Sequence, residues 1–330
     1  MSYAFVASRT LPTYRHMGAT PLSGALGATV SGVDLTASLS GDTVAELRQA
    51  LLDFKVLFFR DQKLSEDQHL AFARRFGMPQ GPGAIPPLDG YPMIRKQQYD
   101  QSSRIGSDVN WHADDTFRTY PSKFSVLRGL DMPLAGGDTI WVDMEKAYDA
   151  LSAPMKTFLE GLTAEHNLLK SFGMGILKQY GATAVENMLK RNPPAVHPVL
   201  RCHPETGRKS IYVNQLLTSH IVELTSTESD NLLEYLYRHS YQPEFQCRFH
   251  WENGSVAMWD NRCTQHRGIN DFFPAFRLMH RIPVVDDQRP SLHPEREKVL
   301  EFGDVPFVRT EELFDTTPEL AYGHGAKPAR

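Results

Sequence analysis

The segment NWHADDTF, residues 110–117, places His112 and Asp114 two positions apart. On an extended strand such positions share a face, so both side chains can point at one ion. A facial iron site needs two imidazoles and one carboxylate, so a third ligand must come from a distant segment. His266, in WDNRCTQHRGIN directly after a predicted strand, is the candidate. A chain that uses all three must fold these distant segments together. The alternative is a chance His-x-Asp among 13 histidines, with His266 in a surface loop.

Composition limits the classes of function. The 330 residues are 41% hydrophobic with a net charge of −4, which allows a sizeable core and gives no electrostatic signal for nucleic-acid binding. Three widely spaced cysteines predict neither a disulfide framework nor a paired-cysteine zinc site, so we expect a reducing, cytoplasmic location. The N-terminus lacks a signal-peptide pattern, and no apolar run is long enough to span a membrane.

The distribution of apolar residues predicts short strands with a few helices. Helices are expected after a cap at Ser40 or Asp42, and from Ser65, with Gln68 completing a capping box, to a stop at Gly77. Residues 78–93 should form a long loop, either a lid or a connector. A helical stretch at about 145–192 should separate two sets of antiparallel strands, with turns at PETG and within a hairpin at Asn253-Gly254. The polar tail after Val285 should wrap the surface or fray.

Two arginines on the last predicted strand, FFPAFRLMHRIPV, are out of pattern for solvated side chains. Arg277 and Arg281 lie four positions apart and therefore on one face of the strand. A buried carboxylate, such as that of 2-oxoglutarate, is bound most strongly by a bidentate arginine. The alternative is that both side chains reach past the apolar residues to water.

These residues and their surroundings resemble the taurine dioxygenase and 2,4-dichlorophenoxyacetate dioxygenase family of Fe(II)- and 2-oxoglutarate-dependent oxygenases. The matching motifs, spread over residues 20–285, include VLFFRDQ, NWHADDTF, GGDTIWVDM, HPETGRKSIYVN, WDNRCTQH and RLMHR. The resemblance implies a single domain over residues 1–330, with residues 286–330 as an extension beyond the match. It implies a mainly β fold with helical insertions around a distorted double-stranded β-helix, a cupin-like jelly roll. The implied reaction uses Fe(II), O2 and 2-oxoglutarate to hydroxylate a small organic molecule, releasing succinate and CO2.

The resemblance also assigns roles to individual residues. It implies that His112, Asp114 and His266 hold the iron. It places Arg277, Thr139 and Trp259 at the 2-oxoglutarate pocket. On the substrate side it places Arg281, Ser171 and Phe172.

The sequence departs from the taurine enzyme in two places on the substrate side. The loop after the motif RFG, residues 75–77, lacks the histidine and tyrosine of the taurine enzyme, and Asp108 replaces an asparagine four positions before the first iron ligand. Asp108 could pair with a substrate amine, which favours an anionic or zwitterionic substrate. It could instead form a salt bridge with Arg281, which would admit a neutral or aromatic one.

Two other classes of protein share parts of this pattern. A zinc hydrolase can use the same three ligands, but it requires a general base near the metal and has no use for Arg277. A non-catalytic binding protein on the same barrel is the second alternative. Oligomers are common in the family, and a homo-oligomer is compatible with the sequence.

Overall fold

A computed structural model describes residues 12–81, 87–100 and 109–294. The chain is built mainly of β-strands with helical insertions, as the sequence predicts. The helices are Gly41–Phe54 (α1), Glu66–Arg74 (α2), Met144–Asp149 (α3), Ala153–Leu159 (α4), Leu169–Tyr180 (α5), Ala182–Arg191 (α6) and Ser226–Ser240 (α7). The strands are Gly18–Pro21 (β1), Ala28–Ser31 (β2), Val56–Phe59 (β3), Pro87–Leu88 (β4), Tyr91–Tyr99 (β5), Ser122–Asp131 (β6), Thr139–Asp143 (β7), Thr163–His166 (β8), Ala195–Pro198 (β9), Leu200–Cys202 (β10), Lys209–Ile211 (β11), Thr218–Ile221 (β12), Gln246–Phe249 (β13), Val256–Asp260 (β14), Thr264–Gly268 (β15) and Arg277–Val285 (β16).

The largest sheet has eight strands in the order β1-β2-β3-β14-β6-β16-β5-β4. Its strands come from both ends of the described chain and pair antiparallel, except for the parallel pair β2–β3. A three-stranded sheet, β13-β7-β15, carries the predicted ligand His266. A second three-stranded sheet, β12-β8-β9, and the hairpin β10–β11 complete the strands of the described residues.

The alternation of residues along β14 separates two apolar cores. Val256 and Met258 pack into the cluster that includes α1 and α2 residues such as Leu47. Ala257 and Trp259 point the other way, into a cluster shared with Trp141 of the β13-β7-β15 sheet. The two sheets therefore face each other across a buried layer, and the side chains of this inner layer surround the site described below.

The helix caps follow the sequence prediction closely. The Ser40 hydroxyl accepts a hydrogen bond from the Thr43 amide, so Ser40 rather than Asp42 caps α1. Ser65 and Gln68 form the predicted capping box of α2. Helix α2 ends at Arg74, before the expected stop at Gly77.

Three sequence predictions about local structure are wrong. Strand β8 interrupts the helical stretch because its backbone pairs with β9 and β12. Residues 78–93 are not all loop, since β4 and the start of β5 lie within them; residues 82–86 are outside the described part of the chain. Asn253-Gly254 forms a turn, but the strands on either side of it, β13 and β14, do not pair with each other as a hairpin. β13 pairs with β7 in the smaller sheet, whereas β14 pairs with β6 in the large sheet, where Gly254 and Ser255 bond to Gly129.

Two further features bear on the chain as a whole. Asp286, directly after β16, is fully buried and forms an ion pair with Arg201, so the tail beyond the last strand begins packed against the body. Among the described residues, no helix has both the length and the apolar character needed to cross a membrane.

Candidate metal centre

The three predicted metal ligands meet through a β-bridge. His112 and His266 are bridge partners: the His112 amide donates to the His266 carbonyl at 3.0 Å, and the His266 amide donates back at 2.8 Å. Strand β15 holds His266 in place, because it pairs with β7 with His266 opposite Trp141. Asp114 follows His112 by two positions, so two backbone hydrogen bonds bring all three residues together.

Their ligand atoms converge without bonding to one another. Asp114 Oδ1 lies 3.9 Å from His112 Nε2 and 4.0 Å from His266 Nε2. All three ligand atoms lie within 4.8 Å of one another, and the residues are at most 5% exposed. Two atoms that each lie about 2 Å from one ion are at most about 4 Å apart, so the distances to Asp114 Oδ1 are at the upper limit for a shared divalent cation, and a bound ion would draw the three ligand atoms inward.

Each imidazole is oriented so that Nε2 faces the centre. His112 Nδ1 lies 2.8 Å from the Asn110 carbonyl, to which it donates, and this leaves the Nε2 lone pair for a metal. The His266 ring is instead fixed by packing, with the Trp259 ring centroid 4.7 Å and the Trp141 centroid 6.3 Å away. Burial, followed by the charge of His112, lowers the pKa of His266 well below its usual value, so this ring is neutral and can bind a cation.

Asp114 is held by partners on both of its carboxylate oxygens. The Ser125 hydroxyl donates to Oδ2 at 2.6 Å, and Arg281 Nη1 donates to Oδ1 at 2.5 Å. Burial is the largest influence and raises the pKa of Asp114, but Arg281, the two histidines and the Ser125 hydroxyl together outweigh it and hold the pKa of the carboxyl well below its usual value. The carboxylate is therefore ionised and fixed, as a metal ligand must be.

Asn261, which the sequence analysis did not single out, connects these groups. Its Oδ1 accepts from the Asp114 amide at 3.1 Å and from Trp259 Nε1 at 2.9 Å. Its Nδ2 donates to Ser125 Oγ at 3.2 Å. Trp259 was predicted in the 2-oxoglutarate pocket; the structure places its ring against His266 and its nitrogen on this network. The only sequence signal for Asn261 was its place in the WDN motif.

Arg277 is buried, and its guanidinium lies near a backbone carbonyl and two aromatic rings. Arg277 is 3% exposed, and Nη2 donates to the Gly137 carbonyl at 3.2 Å. Its guanidinium carbon lies 5.8 Å from the Tyr99 ring and 5.5 Å from the Phe272 ring. Gly137 has φ +70°, and a Cβ there would come within 3.3 Å of Arg277 Nε, so glycine leaves the space that the arginine needs. Thr139, two positions on, accepts from Trp251 Nε1 at 2.9 Å and keeps its hydroxyl proton to donate.

The predicted substrate-side residues occupy different places. Arg281 contacts Asp114, as described. The Ser171 hydroxyl donates to the Leu216 carbonyl at 2.5 Å, and Phe172 packs on an apolar cluster with Leu216 and Phe117. The Leu216 amide donates to the Trp111 carbonyl, next to His112, so this cluster borders the metal centre. Asp108 lies outside the described residues.

The sequence was compared with known proteins. The family model described as "Taurine catabolism dioxygenase TauD, TfdA family" matches residues 18–282. An alkylsulfatase from Acinetobacter baylyi is 35% identical over 277 residues, covering 82% of this chain and 86% of the relative. An alpha-ketoglutarate-dependent 2,4-dichlorophenoxyacetate dioxygenase from Cupriavidus pinatubonensis is 35% identical over 291 residues, covering 82% and 98%.

Two solved structures are similar in fold. A taurine dioxygenase from Burkholderia xenovorans has a TM-score of 0.71 at 37% identity, over 83% of this chain and 90% of that one. AAD-2, solved in complex with Mn(II) and N-oxalylglycine, has a TM-score of 0.71 at 30% identity, over 83% and 99%. With a family match over most of its length and relatives of this identity, the chain belongs to the taurine catabolism dioxygenase TauD, TfdA family.

Proposed function

We propose that the chain is an Fe(II)- and 2-oxoglutarate-dependent dioxygenase that hydroxylates a small anionic or zwitterionic organic molecule. One observation carries the proposal: two imidazole nitrogens and a carboxylate oxygen converge in a buried site, beside a strand that turns two buried arginines to the same face. The names of the relatives, as alpha-ketoglutarate-dependent dioxygenases, support the reaction class.

His112, Asp114 and His266 would hold the Fe(II), with the face opposite them left for 2-oxoglutarate and O2. The bound iron supplies the oxidative chemistry: 2-oxoglutarate and O2 are consumed, succinate and CO2 are released, and one oxygen atom enters a substrate C–H bond. The protein contributes position rather than acid–base chemistry. A zinc hydrolase built on these ligands would have no role for Arg277.

Arg277 and Thr139 would bind the distal carboxylate of 2-oxoglutarate. A buried guanidinium offers two parallel donors to a carboxylate, and a hydroxyl adds a third. Tyr99 and Phe272 beside Arg277 exclude water from that ion pair, which strengthens it. Trp259, predicted beside that pocket, would also fix the orientation of His266.

The charges of the site favour an anionic substrate. The buried arginines on this face, Arg95, Arg277 and Arg281, are opposed by two carboxylates, Asp114 and Asp115. Fe(II) and the 2-oxoglutarate dianion cancel each other, so a positive charge remains for the substrate to neutralise. Arg281 lies at the metal centre and is the residue we assign to that anion, and Asp108 would pair with the amine of a zwitterionic substrate.

The carbon part of the substrate would rest on the apolar cluster of Phe117, Leu216 and Phe172 that borders the metal centre. Ser171 fixes this wall by its bond to the Leu216 carbonyl. A neutral or aromatic substrate would use the same wall without the arginine, and it is the alternative outcome of the substrate test below.

We also propose that residues 1–330 form one domain, with a jelly-roll core over about residues 20–285 and residues 286–330 as an extension. Strands β1–β3, from one end of the matched region, share the eight-stranded sheet with β14 and β16 from the other end, and β15 lies in the facing sheet, which supports a single core. A cytoplasmic location without nucleic-acid or membrane binding, and a homo-oligomeric assembly, complete the proposal; the three cysteines are free thiols, as in a reducing compartment.

Anaerobic titration with Fe(II) and 2-oxoglutarate tests the reaction class. We expect the weak visible charge-transfer band of an Fe(II)–2-oxoglutarate chelate, which appears only when both components are present. A protein that binds Zn(II) but gives no band with Fe(II) and 2-oxoglutarate would contradict the proposal.

A panel of sulfonates, sulfate esters, carboxylates, amino acids and neutral aromatics, scored by substrate-dependent succinate release, tests the substrate class. Acids should couple best, and Arg281→Ala should reduce kcat/KM for the best acid by about 10²-fold or more, as expected for a lost charged partner. Coupling by neutral compounds alone, or an unchanged kcat/KM in this variant, would contradict an anionic substrate.

A further inference from the structure

A second ion pair lies directly beside the metal centre. Arg95 of β5 is 2% exposed and makes a two-pronged contact with Asp115, with Nη1 to Oδ1 at 3.2 Å and Nη2 to Oδ2 at 2.9 Å. Asp115 is also buried, and its Oδ2 accepts from the Ser122 hydroxyl at 2.7 Å. This pair is next in sequence to the predicted ligand Asp114, and beyond its contribution to the charge of the site the proposed function gives it no role.

The two buried pairs form a short ladder across adjacent strands. Arg95 of β5 and Arg281 of β16 are direct register partners, so their side chains leave the sheet on the same face. Partners in this position have Cβ atoms about 5 Å apart, and two like charges there are destabilising. Each arginine takes one of two consecutive carboxylates: Arg281 takes Asp114, and Arg95 takes Asp115.

The backbone at Asp115 makes this division possible. Asp115 adopts φ 58°, a left-handed conformation that few residues other than glycine occupy. The turn sends the Asp114 carboxylate to the two histidines and the Asp115 carboxylate to Arg95. Without a carboxylate at position 115, Arg95 and Arg281 would both have Asp114 as their charged acceptor. The Oδ1 atom of Asp114 faces both ligand nitrogens.

We propose that Asp115 is a positioning residue that engages Arg95 and so keeps it off the metal-binding carboxylate of Asp114. The inference rests on the proposed function, because it assumes that Asp114 binds the metal. Arg95 would otherwise be a second guanidinium competing with the cation for Asp114. Asp115 therefore controls the affinity of the centre for metal without touching the metal.

The experiment measures the affinity for Mn(II) alone, from free Mn(II) by electron paramagnetic resonance, in the full-length protein. Asp115→Asn keeps the left-handed backbone, which asparagine tolerates, and removes the charge. It should weaken Mn(II) binding about 10- to 100-fold, the usual effect of changing an outer partner of a ligand. Arg95→Met combined with Asp115→Asn should restore affinity to within roughly threefold of wild type, because coupled residues do not add.

Glu66→Gln is the matched control. Glu66 pairs with the buried Arg128 from the other face of the same sheet, so this variant also removes the acid partner of a buried arginine. It should leave Mn(II) affinity unchanged. Circular dichroism and thermal unfolding of each variant separate lost fold from lost affinity.

The outcomes separate this inference from the proposed function. A wild-type protein that does not bind Mn(II) contradicts the proposed function. The positioning role is overturned if the wild type binds Mn(II) and Asp115→Asn binds it with the same affinity. It is also overturned if the double variant binds Mn(II) as weakly as Asp115→Asn, which would mean that the pair only shapes the turn. If Asp115→Asn does not fold, Arg95→Met and the double variant are compared: equal affinities support the inference, and a gap above about tenfold overturns it.

Discussion

Two buried clusters in the described part of this protein combine the residue types that bind metals. The metal cluster consists of His112, Asp114 and His266, and the His203 cluster consists of His203, Asp260 and Cys263. All six residues are at most 5% exposed. Residue types and burial therefore do not distinguish the two clusters. The clusters differ in the hydrogen-bond partners of their side-chain nitrogen and oxygen atoms.

In the His203 cluster the polar atoms bond to one another and to their neighbours. His203 Nε2 donates to Asp260 Oδ2 at 3.1 Å, and its Nδ1 accepts from the amides of Glu205 and Thr206. Arg262 donates to both oxygens of Asp260, with contacts of 2.6 to 3.2 Å. Burial raises the pKa of the Cys263 thiol well above its usual value, so the thiolate that a metal needs is not formed.

In the metal cluster, by contrast, the two Nε2 atoms point at the centre while Nδ1 of His112 takes the backbone bond. The anchoring groups, Ser125, Asn261 and Trp259, hold the ligands from behind. Asp114 Oδ1 also accepts from Arg281, but the three ligand atoms of the metal cluster do not bond to one another, whereas those of His203 and Asp260 do. The contrast favours metal binding where ligand atoms face one another without a bond between them. We expect only the metal cluster to bind an ion.

The largest expected difference between the clusters is in metal binding. His112→Ala, Asp114→Ala and His266→Ala should each abolish Fe(II)-dependent succinate release and leave a folded protein, because each removes one of three ligands. His203→Gln should retain one bound Fe(II) per chain. The measurement is metal stoichiometry together with succinate formation. A ligand variant with near-normal turnover would remove that residue from the metal cluster.

The second prediction concerns Arg277, which lies on the same face of β16 as Arg281. Arg277→Leu should raise the KM for 2-oxoglutarate by at least about 10²-fold, since losing one member of a buried charge pair costs about 3–5 kcal/mol. Arg238→Leu, on an exposed face of α7, is the control and should leave KM unchanged. Steady-state kinetics with varied 2-oxoglutarate decide the matter. An unchanged KM in Arg277→Leu would show that the co-substrate carboxylate binds elsewhere.

The third prediction tests the structural role of the His203 cluster. Asp260→Asn leaves the fully buried Arg262 without its main carboxylate and replaces the charged acceptor of His203 with a neutral amide. The free energy of unfolding should fall by about 3–5 kcal/mol, the cost of breaking a buried ion pair. Urea unfolding measures the loss, and the folded variant should still bind one Fe(II) per chain. Loss of metal binding without loss of stability would reverse the roles assigned to the two clusters.

Features of the fold and of the site that depend on a short segment could be predicted from the sequence, whereas contacts between distant segments could not. The residues that form the metal cluster, the caps of α1 and α2, and the face shared by Arg277 and Arg281 were predictable from short segments. Asn261, Ser125 and the bond between Arg281 and Asp114 were not, because each joins segments far apart in the chain. The turn at Asn253-Gly254 was located correctly, but its sequence does not specify which sheet each flanking strand joins.

The buried histidine of the His203 cluster should also make stability depend on pH. Burial, then the charge of Arg262, lowers the pKa of His203 below its usual value of 6.5, against the raising effects of Asp260 and Glu205. The native state therefore binds fewer protons than the unfolded state below pH 6.5. Stability should fall as pH drops through this range, with a slope of at most about 1.4 kcal/mol per pH unit from this residue.

Comparing variants isolates this contribution from those of other buried histidines. His203→Gln should have a shallower loss of unfolding free energy between pH 6.5 and 5 than the wild type, although its stability at pH 7 is lower. His220→Gln, on the exposed face of β12, is the control and should keep the wild-type slope. Urea unfolding at several pH values gives both slopes. An identical slope in His203→Gln would mean that His203 takes up its proton equally in the folded and unfolded states, and that its bond to Asp260 does not require a neutral ring.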